Sequence, residues 1–156
     1  MKINLIAIGN RMPIWVNKAY QTYATRLPHD NQLNLIEIAT SKRTKNCVIN
    51  KILIKEGEQI LGAIEKRDKV IALDERGKLW NTLQLAEQLQ QWREQSSYVT
   101  LLIGGPDGLA ESCKQRASEH WSLSPLTLPH PLVRVIVAEQ LYRAWTIINH
   151  HPYHRQ

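Results

Sequence analysis

The chain has 156 residues with twenty Lys or Arg against fourteen Asp or Glu, a net charge of +6. Its length suits one domain, residues 1–156, and its 43% hydrophobic and 22% charged content suits a globular protein with a core of its own. Apolar runs fall short of the ~18 residues that a bilayer span needs, and the opening Met1–Gly9 lacks the length and cleavage site of a signal peptide. No membrane partner is expected. Cys47 and Cys113 stand alone, without CxxC spacing, so the expectation is reduced thiols in a cytoplasmic protein rather than a disulfide or zinc framework.

The charge is lopsided. Residues 1–78 carry 14 basic and 8 acidic groups, whereas 79–156 carry 6 of each. The stretch from Lys42 to Lys55 holds Lys42, Arg43, Lys45, Lys51 and Lys55 with no acid between them. Such a patch fits a polyanionic partner, nucleic acid before membrane, with a merely solvated face as the plain alternative.

Along the chain, Lys2–Ile8 reads as a strand, and Pro13 opens a helix to about Leu27 whose apolar side is Ile14, Val16, Ala19, Tyr20 and Tyr23. Gln32–Ala39 is a second strand, Ser41–Asn46 a basic loop, and a helix runs from about Val48 to Glu65. Val70–Leu73 is a third strand, closed by a turn at Asp74-Glu75-Arg76-Gly77. Thr82 is placed to cap a helix carrying Leu83, Ala86, Leu89 and Trp92. Tyr98–Ile103 is a fourth strand, followed by a short helix to about Ala117 and a short strand at Trp121–Leu123. A last helix spans Pro131 to about Asn149. Strands alternating with helices predict an α/β domain with a mostly parallel sheet.

Twelve of the eighteen residues from Leu132 to Asn149 are apolar, which predicts burial on more than one side and a partner subunit as the second cover. Glu139, Arg143, Thr146 and His150 form one polar stripe on this helix, either an exposed pair with company or the lining of a site at a subunit boundary.

Three segments are candidates to carry chemistry, each with a plainer reading beside it: a tight strand-to-helix turn, a buried connection and a frayed tail. Gly104-Gly105-Pro106-Asp107-Gly108 follows a strand end, where open α/β sheets bind ligands and where glycine admits close approach. The dinucleotide fingerprint G-x-G-x-x-G is not met. Leu123-Ser124-Pro125-Leu126-Thr127-Leu128-Pro129-His130-Pro131 is rigid and too apolar for a solvated loop, which suits it to hold a flat heterocycle on its backbone edge. The tail from Asn149 to Arg155 brings together His150, His151, Tyr153, His154 and Arg155: a stacking surface, a base near neutral pH and a fixed cation. Histidine spacing alone would allow a metal, but no Cys or carboxylate stands nearby, and no metal is expected. Nucleophile-elbow and P-loop signatures are missing.

These blocks, with Trp121-Ser122, Leu132-Val133-Arg134, Glu139-Gln140-Leu141-Tyr142-Arg143-Ala144-Trp145 and the early Met12-Pro13-x-Trp15-Val16, resemble the bacterial large-subunit ribosomal RNA methyltransferase H family over essentially the whole chain. The resemblance implies a SPOUT fold, in which the C-terminal part of the sheet domain is threaded into a trefoil knot, one of the rare exceptions to unknotted topology. It implies a homodimer that binds S-adenosyl-L-methionine and methylates N3 of a pseudouridine in helix 69 of 23S rRNA on the assembled ribosome. Cofactor positions then fall on Leu73, Gly104 and the loop Leu123, Ser124, Pro125, Leu126, Thr127 and Leu128. Of these, only Leu73 is not also marked by the residues themselves. The chemistry of N3 methylation assigns His154 as base or proton relay, Arg155 and Arg143 to the uracil oxygens or a phosphate, and Tyr153 to stacking. Two other classes share parts of the pattern. A knotted methyltransferase for transfer RNA differs in substrate, and a non-catalytic ribosome-binding factor would bind no S-adenosylmethionine.

Overall fold

The computed structural model describes residues 1–155. Five strands, β1 (Lys2–Ile8), β2 (Leu33–Ile38), β3 (Lys69–Leu79), β4 (Tyr98–Ile103) and β5 (Glu119–Ser122), form one sheet in the order β2-β1-β4-β3-β5, with every pairing parallel. Parallel neighbours need crossovers, and helices α1 (Ile14–Ala24), α2 (Ile49–Gly62), α3 (Thr82–Gln95), α4 (Glu111–Arg116) and α5 (His130–Ile148) supply cover for both faces.

Alternation along each strand divides the core. Ile3, Leu5 and Ala7 of β1 join Val99, Leu101 and Ile103 of β4 beneath α1, α3 and α5, with Tyr20, Leu89, Trp92, Val137 and Leu141. Ile6 and Ile8 point the other way, with Ala72 and Leu102, to meet Ile60 of α2 and Cys113 of α4. The central strands are largely apolar on both faces, as a sheet covered on both sides requires; the paired Asn4 and Thr100 are exceptions, and Thr100 Oγ1 donates to Asp68 Oδ2 at 2.9 Å. Both cysteines are free thiols.

The structure corrects several boundaries. The third strand does not close at Asp74–Gly77. It continues to Leu79, and both Leu73 and Lys78 pair with Trp121, so residues 74–77 bulge from the edge instead of ending the strand. Asp74 Oδ1 accepts the Arg76 N–H at 3.0 Å, so the turn chemistry is present but serves the bulge. The cap of α3 is Asn81, not Thr82: its side chain accepts the Gln84 N–H at 2.9 Å while Gln84 Oε1 accepts the Asn81 N–H, also at 2.9 Å. Thr82 Oγ1 donates instead to Gln140 Oε1 of α5. Within the helix so capped, Leu85 turns inward and Leu83 stays outside. In α1, Ile14 is 72% exposed, and the helix stops at Ala24, three residues short of Leu27 and ahead of Pro28. The second long helix ends at Gly62 rather than Glu65, glycine being a weak helix former.

The last helix is covered in part within its own chain. Apart from the sheet, α1 and α3 both pack along it and bury Val137, Ala138, Leu141, Tyr142 and Ala144, while Leu132, Val135, Ile136, Ile147 and Ile148 stay only partly covered. Thr146 is buried and drops out of the polar stripe. No helix among the described residues is long and apolar enough to cross a membrane.

The capping assignment is testable by denaturant unfolding. Asn81→Ala should cost about 1 kcal/mol, the usual loss for an N-cap side chain. Thr82→Ala, which removes a single side-chain hydrogen bond, should cost less.

Candidate functional site

A cavity of about 860 Å³ opens at the carboxyl ends of β3, β4 and β5. Open α/β sheets bind ligands at this edge because the loops leaving the strands splay apart there. Three segments far apart in sequence wall it: Leu73 to Arg76 from the β3 bulge, Ile103 to Leu109 after β4, and residues 121–130 between β5 and α5. Leu73, Gly104, Leu123, Ser124, Leu126, Thr127 and Leu128 all line it, whereas Pro125 lies in the same loop without facing the cavity.

Each wall has a local cause. A Cβ on Gly104 would come within 2.7 Å of the Leu109 amide nitrogen and closer still to the Gly108 backbone, so the tight turn after β4 requires glycine there. Gly108 adopts φ +82°, a conformation that glycine reaches freely. In the apolar loop, Ser122 Oγ donates to the Ser124 carbonyl at 3.1 Å and Ser124 Oγ accepts the Leu126 N–H at 2.9 Å. Among the described residues the amides of Thr127 and Leu128 have no hydrogen-bond partner, so backbone polarity is left for a ligand. Leu126 is 74% exposed.

Asp74 and Lys114, which the sequence did not mark, also line the cavity, as does His130 at the end of the proline loop. Partial burial disfavours the Asp74 carboxylate, but the Arg76 N–H and the Lys114 ammonium, 3.5 Å away, outweigh it and hold the pKa below the ordinary value. Burial, reinforced by the Arg134 and Arg43 charges, pushes the His130 imidazole below its usual 6.5 and keeps it neutral at pH 7. Its Nδ1 is buried with no partner among the described residues.

The proposed catalytic side chains gather elsewhere. Helix α5 ends in a Schellman turn: the His150 N–H bonds the Ile147 carbonyl at 3.2 Å and the His151 N–H the Thr146 carbonyl at 2.9 Å, with His150 at φ +53°. This turn folds the tail back along α5. The Tyr153 ring then packs 4.7 Å from Tyr142, and its hydroxyl donates to Glu139 Oε1 at 3.1 Å. Arg143 Nε donates to the same oxygen at 2.9 Å, and its guanidinium lies 5.0 Å from the Tyr153 ring centroid. The Glu139 hydrogen bond raises the Arg143 pKa above its ordinary value. Both ring nitrogens of His154 are buried within the chain and have no partner among the described residues, and Arg155 is exposed. None of these four residues lines the cavity of its own chain.

The basic stretch divides as well. Lys42, Lys45, Lys51 and Lys55 are exposed, and Lys42, Lys51 and Lys55 border a shallow groove beside the end of β2. Arg43 turns inward to Asp107 and Glu56. Among the described residues no group of three His, Cys, Asp or Glu side chains is placed to hold a metal ion.

Residues 1–154 match the family described as "Predicted SPOUT methyltransferase". The chain belongs to the SPOUT methyltransferase family. Proteins named Ribosomal RNA large subunit methyltransferase H are similar to this SPOUT methyltransferase along its whole length. That of Methylococcus capsulatus (strain ATCC 33009 / NCIMB 11132 / Bath) is 56% identical over 155 residues, covering 99% of this chain and all of the relative. Those of Hahella chejuensis (strain KCTC 2396) and Marinomonas sp. (strain MWYL1) are 54% identical over 156 residues and 57% over 155, covering 100% and 99% of this chain and all of each relative. A solved structure of a probable methylase family protein from Haemophilus influenzae Rd KW20 superposes with a TM-score of 0.59 at 15% identity, covering 99% of this chain and 70% of that one. At that identity the likeness speaks to the fold alone.

Because the folded state depresses the His130 pKa, the unfolded chain takes up this proton first as pH falls below about 6.5, and stability declines there. His130→Gln should flatten that decline when denaturant unfolding is compared at about pH 7.5 and about pH 5.5.

Proposed function

We propose that this single-domain SPOUT methyltransferase transfers the methyl group of S-adenosyl-L-methionine to N3 of a pseudouridine in helix 69 of 23S rRNA, acting in the cytoplasm on the assembled ribosome. The observation that carries the proposal is 54–57% identity, end to end, with relatives named as large-subunit ribosomal RNA methyltransferases. The residues fit the cofactor. The cavity volume lies within the ~300–1,000 Å³ of small-molecule sites, its proline-braced wall is apolar, and that wall carries two amides free to bond a ligand.

When bound, S-adenosyl-L-methionine supplies an electrophilic methyl group on a positively charged sulfur. Leu73, Gly104, Leu123, Ser124, Leu126, Thr127 and Leu128 would hold it and exclude water, with Pro125 bracing the loop from behind. Attack by N3 requires its proton to leave, and an imidazole with both nitrogens uncommitted is suited to take it; this role falls to His154. Negative charge then spreads to the flanking uracil oxygens, where Arg155 and Arg143 stabilise it. Tyr153 offers its ring to the base, oriented by Glu139. Lys42, Lys45, Lys51 and Lys55 grip backbone phosphates.

A homodimer completes this scheme. The tail residues do not reach the cavity of their own chain, and Ile14 and Trp15 at the start of α1 leave an exposed apolar pair on a helix that packs along α5. A second copy brings its tail to the first copy's cavity, and in each copy the C-terminal segment is threaded as a trefoil knot. A monomer in sedimentation at micromolar concentration would remove the dimer.

Labelled methyl from S-adenosyl-L-methionine should enter the large-subunit RNA of intact ribosomes from a strain lacking this gene, and neither free ribosomal RNA nor transfer RNA. Label on transfer RNA would move the substrate. Cutting single-turnover methylation at saturating cofactor is the expected effect of His154→Ala, and a near-normal rate would take the base role from it. Replacing the four exposed lysines by Gln should lower the slope of log affinity against log salt by about 3–4, at roughly 0.7–0.9 for each phosphate no longer neutralised. An unchanged slope would return them to a solvated face.

A further inference from the structure

Arg43 stands in the most basic stretch of the chain yet faces away from solvent phosphate. Its Nε donates to Asp107 Oδ2 at 2.7 Å, its Nη1 donates to the Ser41 carbonyl at 3.1 Å, and the same Nη1 lies 3.2 Å from Glu56 Oε1. Glu56, on α2, is only 2% exposed and also accepts the Ser41 N–H at 3.3 Å. A carboxylate buried that deeply needs its cation, because an unpaired buried charge costs far more than the pair gains. Arg43 therefore cannot swing out to meet RNA without stranding Glu56.

Asp107 sits in the Gly104–Gly108 turn and lines the cavity. The turn's backbone bonds are largely to itself: the Gly108 N–H reaches the Gly105 carbonyl at 3.0 Å, and Gly105 and Gly108 form an isolated bridge. Beside the packing of Gly105 on Ile8 and of Leu109 in the core, Arg43 gives the turn a charged tie to α2 through Asp107 and Glu56. The Arg43 Nη2 lies against Gly105, 3.8 Å from where a Cβ would stand, and is itself buried.

We propose that Arg43 is a positioning residue for the cofactor cavity: anchored on buried Glu56, it holds Asp107 and so fixes the Gly104–Gly108 turn that forms one cavity wall. It does not contact RNA, unlike the lysines on either side of it. This rests on the cavity being the cofactor site.

Calorimetric titration with S-adenosylhomocysteine tests it in three variants. Asp107→Asn weakens the tie and leaves Arg43–Glu56 intact, so the fold is retained. Arg43→Lys keeps the charge beside Glu56 and loses the fork that reaches both carboxylates. Each should weaken binding about tenfold, as expected for one charge-assisted hydrogen bond, raising the KM for S-adenosyl-L-methionine and leaving kcat near that of the unaltered enzyme. The double variant should bind within about twofold of the weaker single, because both act through one interaction. Salt dependence of ribosome binding should be unchanged in all three. The quadruple lysine variant should show the opposite pattern, with normal S-adenosylhomocysteine affinity and a flattened salt slope. Unchanged affinity in Asp107→Asn or in Arg43→Lys would overturn the assignment. Failure of the unaltered protein to bind S-adenosylhomocysteine would instead sink the cofactor reading, and this inference with it.

Discussion

Arg134 leaves α5 one turn after the helix begins, and its guanidinium ends beneath the carboxyl edge of the sheet. Nη1 meets Glu37 Oε2 at 2.7 Å, while Nη2 donates to the carbonyls of Ile8 and Gly9 at 3.1 and 2.6 Å. The side chain is 1% exposed. Burying a cation costs several kcal/mol unless its donors are met, and here two backbone acceptors and a carboxylate meet most of them. The geometry at Gly9 is set by the same contact. With φ +107°, it lets β1 stop abruptly, and a Cβ there would stand 3.4 Å from Arg134 Nη2. Once α5 is pinned at this point, the loop from Leu123 to Pro129 must run from the sheet edge at β5 back to a fixed helix start. That constraint shapes the cavity wall and brings His130 to its rim.

The two ends of α5 thus serve different purposes. Its start is buried, ion-paired and tied to the sheet. From its far end the tail folds back to a second polar group at mid-helix, centred on Glu139, which gathers Arg143 and Tyr153 on one oxygen and Gln140 Nε2 on the other at 2.7 Å. Through Gln140 this group connects to Thr82 at the head of α3. The result is a rigid rod with a ligand cavity at one end and an ordered tail at the other. Such a division suits an enzyme whose small cofactor and large RNA must meet from different directions.

Most of the architecture is legible in the residues because local and tertiary signals agree. The strands are apolar on both faces and spaced by helical periods, so their parallel pairing follows. The glycine turn and the proline loop stand out by composition, and both line the cavity. What escapes are features decided by distant partners. Nothing in Asp74-Glu75-Arg76-Gly77 says that Trp121 will pair on both sides of it and make a bulge of a turn. Arg43 looks like its lysine neighbours because Glu56 lies just beyond the basic stretch and Asp107 much further along. The Asn81 cap is one residue from the expected position, and the Gln84 that completes its capping box is the signal that could have found it. His130 reads as part of a rigid loop, and its buried nitrogen depends on Arg134 and Gly9, which periodicity does not bring together.

The position of β1 in the sheet bears on how the molecule is made. It lies between β2 and β4, and Lys2 pairs with Tyr98, so during synthesis one of its edges stays bare until β4, nearly a hundred residues further on, has been made. At roughly 5–20 residues per second that wait lasts several seconds, with Ile3, Leu5, Ile6 and Ile8 uncovered on one or both faces. The cation that closes the carboxyl edge, Arg134, arrives later still. The nascent chain therefore passes through a stage with an open, apolar parallel edge, the kind of intermediate that pairs with foreign strands. For this fold, pairing with β4 closes that edge, and α5 then covers one face of it.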